Sequence, residues 1–262
     1  MELGLQGKTA VILAASKGLG KAAAASLGRE GCNIAICSRS KNNLKKSAAY
    51  IMEISGADVY TETVDVNDKA AIERFIKNSG KRFGSLDILV TNAGGPPVKS
   101  FIETSDEEWH IWYDTTFMSV VRSIKAALPF MQRQKWGRII NITSVSVKMP
   151  VENLIYSNSL RLAVIGLSKT LSEELGKYNI TVNNVAPGYH LTDGLERIIT
   201  KKVEQGQDRK DVLRKFSDGA PLGRIGNPRD LAGLIAFLAS EQASFISGTT
   251  IQVDGGLTKS TL

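Results

Sequence analysis

Apolar positions along the chain follow two periods. Short apolar or β-branched runs occur at Thr9 to Leu13, Asn33 to Cys37, Asp58 to Val64, Leu86 to Thr91, Arg138 to Thr143, Ile180 to Val185 and Thr249 to Val253. Longer stretches with helical spacing separate them. This alternation predicts βαβ units: an α/β, doubly wound (Rossmann-like) domain with a seven-stranded parallel sheet and helices on both faces. From Asp106 to Gln134, the positions Trp109, Trp112, Tyr113, Phe117, Val120, Ile124, Leu128 and Met131 predict one long helix with a core-facing stripe. A second long helix, about Ser157 to Lys177, has Leu160, Ala163, Val164, Leu167 and Leu171 on one face. Leu162 and Ile165 lie on another, which predicts burial against a second subunit. There is no internal repeat, low-complexity tract or Pro/Ser linker, so residues 1–262 read as one domain.

The first strand leads into a glycine-bearing turn, Ala14-Ala15-Ser16-Lys17-Gly18-Leu19-Gly20, and then into a helix with Leu19, Ala22, Ala23 and Leu27 on one face. A strand, a glycine turn and a helix start form a cradle for phosphate. Glycines let the backbone approach, and the helix start offers free N–H groups and the positive end of its dipole. Alone, such a turn also suits a chain with no ligand.

Composition narrows the picture. With 262 residues, 42% hydrophobic and 23% charged, the chain can build an ordinary globular core. No stretch approaches the roughly 18 apolar residues of a membrane span, and Met1 to Lys8 contains no apolar signal run, so a cytoplasmic protein without membrane contact is expected. Cys32 and Cys37 flank one predicted buried strand, as core thiols of a reducing compartment do, rather than as a disulfide or metal site. The formal charge of +7 favours acidic partners such as phosphorylated cofactors or nucleotide-bearing thioesters. The basic residues are scattered, without the aromatic-interleaved stripe of a nucleic-acid surface.

Several motifs, in order over almost the whole chain, resemble the short-chain dehydrogenase/reductase family, and its 3-oxoacyl-(acyl-carrier-protein) reductase branch in particular. They are the glycine turn, Asp65-Val66, Asn92-Ala93-Gly94, Ser144, Pro187-Gly188 with Thr192, and Phe245-Ile246-Ser247-Gly248 through Val253-Asp254-Gly255-Gly256. The resemblance implies a nicotinamide dinucleotide over Ser16, Lys17, Gly18, Leu19 and Gly20. Asp65 and Val66 would lie at the adenine, Asn92, Ala93 and Gly94 under the nucleotide, and Pro187, Gly188 and Thr192 beside the carboxamide. It also implies a homotetramer or homodimer and a substrate lid over residues 192–219.

Charge argues the cofactor choice. An acid at the end of the second strand would hold a ribose 2′-hydroxyl, and here Cys37-Ser38-Arg39 stands there instead. Ser38, Arg39 and Lys17 therefore point to NADP(H). Ala14 occupies the slot of the family's first glycine. A positive φ there would cost alanine roughly 1 kcal/mol.

The resemblance implies ketone reduction by an Asn, Ser, Tyr and Lys set. In this chain only the serine slot matches, at Ser144; Thr116 stands in the asparagine slot, Ser157 in the tyrosine slot and Arg161 in the lysine slot. Tyr156 is one residue out of frame, a turn of about 100° on a helix. An extra residue between Tyr156 and Arg161, as in a π-bulge, would bring it back. Arg161 can still hold the ribose but cannot carry a proton. His190, beyond Pro187-Gly188-Tyr189, is a candidate proton donor. Lys148 and His110 read as solvated residues. The charged segment Asp193 to Asp218 holds seven basic and six acidic residues, so it does not advertise an anionic substrate. Two functions stand side by side. One is an NADP(H)-dependent reductase of a ketone or 3-oxoacyl thioester with an atypical site; the other is a catalytically inactive NADP(H)-binding or scaffold protein on the same fold.

Overall fold

The computed structural model describes residues 2–261. Seven strands, β1 (Thr9–Ile12), β2 (Asn33–Ser38), β3 (Val59–Thr63), β4 (Ile88–Thr91), β5 (Gly137–Ile142), β6 (Ile180–Pro187) and β7 (Thr250–Val253), form one sheet in the order β3-β2-β1-β4-β5-β6-β7. Every pairing is parallel. All residues of β1, β4, β5 and β6 are buried, which is why these strands do not alternate between apolar and solvent-facing polar positions.

One face of the sheet is covered by α1 (Gly18–Arg29), α2 (Lys41–Ser55) and α9 (Pro228–Ala239), through Ala23, Leu27, Leu44, Ile51, Leu231 and Ile235. The other is covered by α3 (Lys69–Phe83), α5 (Ser119–Gln134) and α6 (Ile155–Leu175), through Ile72, Phe75, Ile124, Met131 and Val164. Local signals set the helix ends. Ser40 accepts a hydrogen bond from Asn43 N to start α2, which stops at Gly56 with φ 69°. Asn227 caps α9, with Pro228 in its first turn.

One expectation changes, and two open points are answered. The predicted helix from Asp106 to Gln134 is α4 (Asp106–Tyr113) and α5 joined by a π-turn, Asp114–Met118. At its end, Ser119 Oγ of α5 donates to Thr115 O at 2.6 Å, a side-chain competition for backbone carbonyls that helical periodicity cannot reveal. Conversely, α6 is α-helical throughout, and the extra residue that would have returned Tyr156 to frame is not there. The segment from Asp193 to Asp218 folds as α7 (Asp193–Glu204) and α8 (Arg209–Asp218), despite its poor periodicity. Leu195, Ile199 and Val212 give it a small core of its own, with Tyr189 against Phe216 at 4.8 Å between ring centroids.

Asn141 in β5 and Asn184 in β6 are satisfied internally. Thr91 Oγ1 donates to Asn141 Oδ1 at 2.6 Å, Asn141 Nδ2 to Ser168 Oγ at 2.9 Å, and Ser168 Oγ to Asn184 Oδ1 at 2.7 Å. This network ties β4, β5, β6 and α6 in one register. Cys32 and Cys37 are free and buried, and burial pushes both thiols up to about 12. No described helix is long and apolar enough to cross a membrane.

Candidate active site

The strand order reverses direction between β1 and β4, so the crevice beyond their carboxyl ends is where an open α/β sheet receives a ligand. The turn after β1 lines it. Ala14 has φ 49° and Gly18 φ 56°, so the backbone here is left-handed at both positions. A Cβ on Gly20 would stand 2.9 Å from both Ala14 O and Asn92 Nδ2, and only glycine allows that approach. Asn92 Nδ2 donates to Ala14 O at 3.3 Å, which fastens the turn after β4 to the turn after β1. Lys17 is the N-cap of α1 and its side chain caps nothing, and the first turn of α1 carries no acid. The first N–H groups of α1 are therefore free to meet phosphate, and these residues fit a dinucleotide.

Ser38 closes β2 and Arg39 follows it, exposed and without a carboxylate within 4.0 Å among the described residues. Lys17 Nζ lies 3.9 Å from Asp193 Oδ1, at the start of α7, with both side chains half exposed. Asp65 Oδ1 accepts from Asn67 N at 3.0 Å beyond β3, beside Val66. Ala93 and Gly94 continue the turn after β4, where a Cβ on Gly94 would meet nothing within 4 Å. Pro187 ends β6 and Gly188 packs on Asp254, so closely that a Cβ would come within 2.8 Å of Asp254 Cβ. Thr192 caps α7, accepting from Leu195 N at 3.3 Å, and its Cγ2 faces Gly18. Leu19, by contrast, packs into the core beneath α1.

The catalytic candidates divide into two groups. Ser144 follows β5 and accepts from Ser146 N at 3.1 Å. Ser146 Oγ and Ser157 Oγ are 3.0 Å apart and buried, so the tyrosine slot belongs to a serine hydroxyl pair. Arg161 Nη1 donates to Ile142 O at 3.1 Å, while its buried Nε has no partner among the described residues. Burial pushes the guanidinium down to about 10, so it remains charged at neutral pH. Thr116, in the π-turn that packs on α6, is buried with its hydroxyl likewise unpartnered.

Tyr156 and His190 are held elsewhere. Tyr156 donates its hydroxyl to Glu108 Oε2 at 3.0 Å and packs edge-on against Trp109 at 4.7 Å between ring centroids. Lys99 Nζ binds the same carboxylate at 2.6 Å. Burial, and then the hydrogen bond to Glu108, raise the Tyr156 phenol above its usual range. His190 Nδ1 lies 3.1 Å from Gly188 O, and since a carbonyl only accepts, Nδ1 carries the proton. Its Nε2 is buried against Gly226 without a partner, and burial holds the imidazole below its ordinary range. At neutral pH this ring has no free N–H for a substrate.

Sequence reasoning passed over Ser146, the partner of Ser157, and Glu108, the partner of Tyr156. Only the second left a signal: Ser105 and Glu108 form a capping box at the start of α4, which fixes the carboxylate near the helix entry.

Residues 13–258 match the family described as enoyl-(acyl carrier protein) reductase. The 3-oxoacyl-(acyl-carrier-protein) reductase of Salmonella typhimurium is 34% identical over 97% of this chain and 99% of its own length. Among solved structures, the L-sorbose reductase of Gluconobacter frateurii, complexed with NADPH and L-sorbose, superposes with a TM-score of 0.96 at 32% identity, over 99% of this chain and 100% of that one. YwfH, an NADPH-dependent reductase involved in bacilysin biosynthesis, does so with 0.91 at 30%, over 97% and 99%. With its parallel sheet, glycine turn and motif order, the chain belongs to the short-chain dehydrogenase/reductase family of oxidoreductases.

Proposed function

We propose that the chain is an NADP(H)-dependent reductase of a ketone or 3-oxoacyl thioester, working with an altered catalytic set. The observation that carries the reading is the cradle itself. An uncapped, acid-free start of α1 lies under a glycine turn, with Lys17 beside it and Ser38-Arg39 where an acid would select a 2′-hydroxyl. The L-sorbose reductase complexed with NADPH and the 3-oxoacyl-(acyl-carrier-protein) reductase of Salmonella support the same direction.

Ser16, Lys17, Gly18 and Asn92 would help to hold a nicotinamide dinucleotide, which would supply hydride to the substrate carbon. Ser144 would donate a hydrogen bond to the carbonyl oxygen, and the Arg161 guanidinium, which stays charged at neutral pH, would hold the ribose and favour a developing alkoxide. The Ser157 hydroxyl, backed by Ser146 at 3.0 Å, passes a proton from solvent to that oxygen. A serine hydroxyl is far less acidic than a phenol, so turnover is slow compared with a tyrosine enzyme. α7 and α8 cover the cleft as the substrate lid.

The second reading, an NADP(H)-binding protein without turnover, is favoured by one observation: the phenol that would donate the proton is bound to Glu108 and buried behind Trp109. Titration of the chain with NADPH and NADH, followed by nicotinamide fluorescence, tests what both readings share. Micromolar NADPH binding with much weaker NADH supports them; binding of neither dinucleotide removes both. Exposed Ile111, Tyr113, Leu162 and Phe245 support a homodimer or homotetramer, which light scattering checks and a monomeric mass contradicts. The buried thiols suit the cytoplasm, and localisation of a tagged chain tests that.

A further inference from the structure

Beside the cradle lies a cleft of about 610 Å³ over the outer face of α1, walled by α2 on one side and the start of α9 on the other. Small residues lie at its base: Ala25 of α1 and Ala232 of α9 are buried, with Ala22 beside them. Its rim is basic. Lys21 comes from α1, Lys46 from α2, Arg229 from α9 and Lys17 from the turn, with Arg29 at the far end of α1. Asp193 is the one carboxylate among the lining residues.

What distinguishes this rim from ordinary surface charge is that unpaired cations from three helices line one cleft. Lys21, Arg29, Lys46 and Arg229 have no carboxylate within 4.0 Å and no side-chain hydrogen bond among the described residues. In the neighbouring segment Arg209 pairs with Glu196 at 2.7 Å and Arg214 with Asp211 at 3.7 Å, while Arg197, Lys201, Lys202, Lys210 and Lys215 have no carboxylate within 4.0 Å among the described residues but line no shared cleft with one another. Lys21 instead sits over the ring of Tyr50 at 4.0 Å, which orders its ammonium in the cleft wall. Four like charges gathered from three helices around one concavity repel one another and are relieved by a multiply charged anion.

We propose that this cleft is a second anion site, taking a small phosphate ester or diphosphate. Its volume is that of a small-molecule pocket. The cations converge on one concavity, and the floor of small residues provides depth without the apolar anchor pocket that a protein partner needs. The site borders the dinucleotide cradle and shares Ser16, Lys17, Gly18 and Thr192 with it, while Ser38 and Arg39 lie outside its lining. Occupancy therefore draws Lys17 away from the dinucleotide, and by linkage the two ligands weaken each other. Only this antagonism rests on the cofactor reading; the anion site does not.

Calorimetric titration of the whole chain with inorganic pyrophosphate tests the proposal, using Lys46→Ala combined with Arg229→Ala. Both side chains are exposed and unpaired, so the fold is retained, and an unchanged melting temperature checks this. Saturable pyrophosphate binding is expected in the wild type, weakened at least about tenfold in the double variant. NADPH affinity is expected to fall by less than about threefold, since these charges act on it only through screened space. Pyrophosphate is expected to raise the apparent Kd of NADPH in the wild type and to lose that effect in the double variant. Equal pyrophosphate binding by the two proteins would place the anion in the dinucleotide's own phosphate positions and overturn the proposal, as would the absence of saturable binding. If NADPH fails to bind while pyrophosphate binding remains sensitive to the double substitution, the cofactor reading falls and the anion site stands.

Discussion

Ala14 holds a φ of 49° at the bend between β1 and the phosphate-facing turn. Its Cβ crowds the following carbonyl in this left-handed conformation, at a cost of roughly 1–2 kcal/mol that glycine does not incur. Ala14→Gly removes that strain, but glycine also gains freedom in the unfolded chain, which offsets about 0.4–1 kcal/mol of it. The net expectation is a stabilisation of about 0.5–1 kcal/mol, equivalent to a rise in Tm of about 1–4 °C for a chain of this size. No packing loss opposes the change beyond the one methyl, because the residue is only half-buried. Urea denaturation followed by circular dichroism measures it as a higher midpoint at unchanged slope. The turn already holds its cradle geometry with alanine, so NADPH affinity is expected to change by less than about twofold. A variant that unfolds at lower urea than the wild type would refute the strain argument.

The remaining predictions concern the site. Tyr156→Phe should lower thermal stability, because Glu108 loses a donor, yet leave kcat unchanged; a large fall in kcat would return the phenol to the chemistry. Arg39→Asp should reduce the preference for NADPH over NADH by at least about tenfold, and an unchanged ratio of dissociation constants would detach Arg39 from the 2′-phosphate. His190 is held neutral by burial, with its folded-state pKa below the unfolded value. Its contribution to stability is therefore complete above about pH 6.5 and is lost as pH falls through the lowered folded value. His190→Asn should flatten the acid limb of the stability profile, and an identical limb in the variant would show that other groups set it.

How much of this was legible in the sequence depended on whether the signal was local. Strands buried on both faces announce themselves as runs such as Ile139-Ile140, and the glycine turn and the Asn227-Pro228 helix start carry their own backbone chemistry. Gly20 and Asn92 were legible as motif residues, but that they meet over Ala14 O is a tertiary fact. The π-turn at Asp114–Met118 was not legible, since Trp109, Trp112, Tyr113, Phe117 and Val120 keep spacings of three and four through most of it. The frame of Tyr156 was legible as a one-residue offset; its destination was not, because Glu108 and Lys99 come from separate elements. Likewise Asp211 and Asp218 could be read as lid charges, whereas the small core of Leu195, Ile199 and Val212 lay hidden among them.

The most direct test of the central claim is steady-state oxidation of NADPH by purified chain over a panel of ketones and 3-oxoacyl thioesters, with Ser144→Ala and Tyr156→Phe in parallel. The account expects slow, substrate-dependent turnover in the wild type, retained in Tyr156→Phe and reduced at least about a hundredfold in Ser144→Ala. NADPH that binds tightly but is not consumed with any substrate would contradict the reductase and leave the non-catalytic reading in its place.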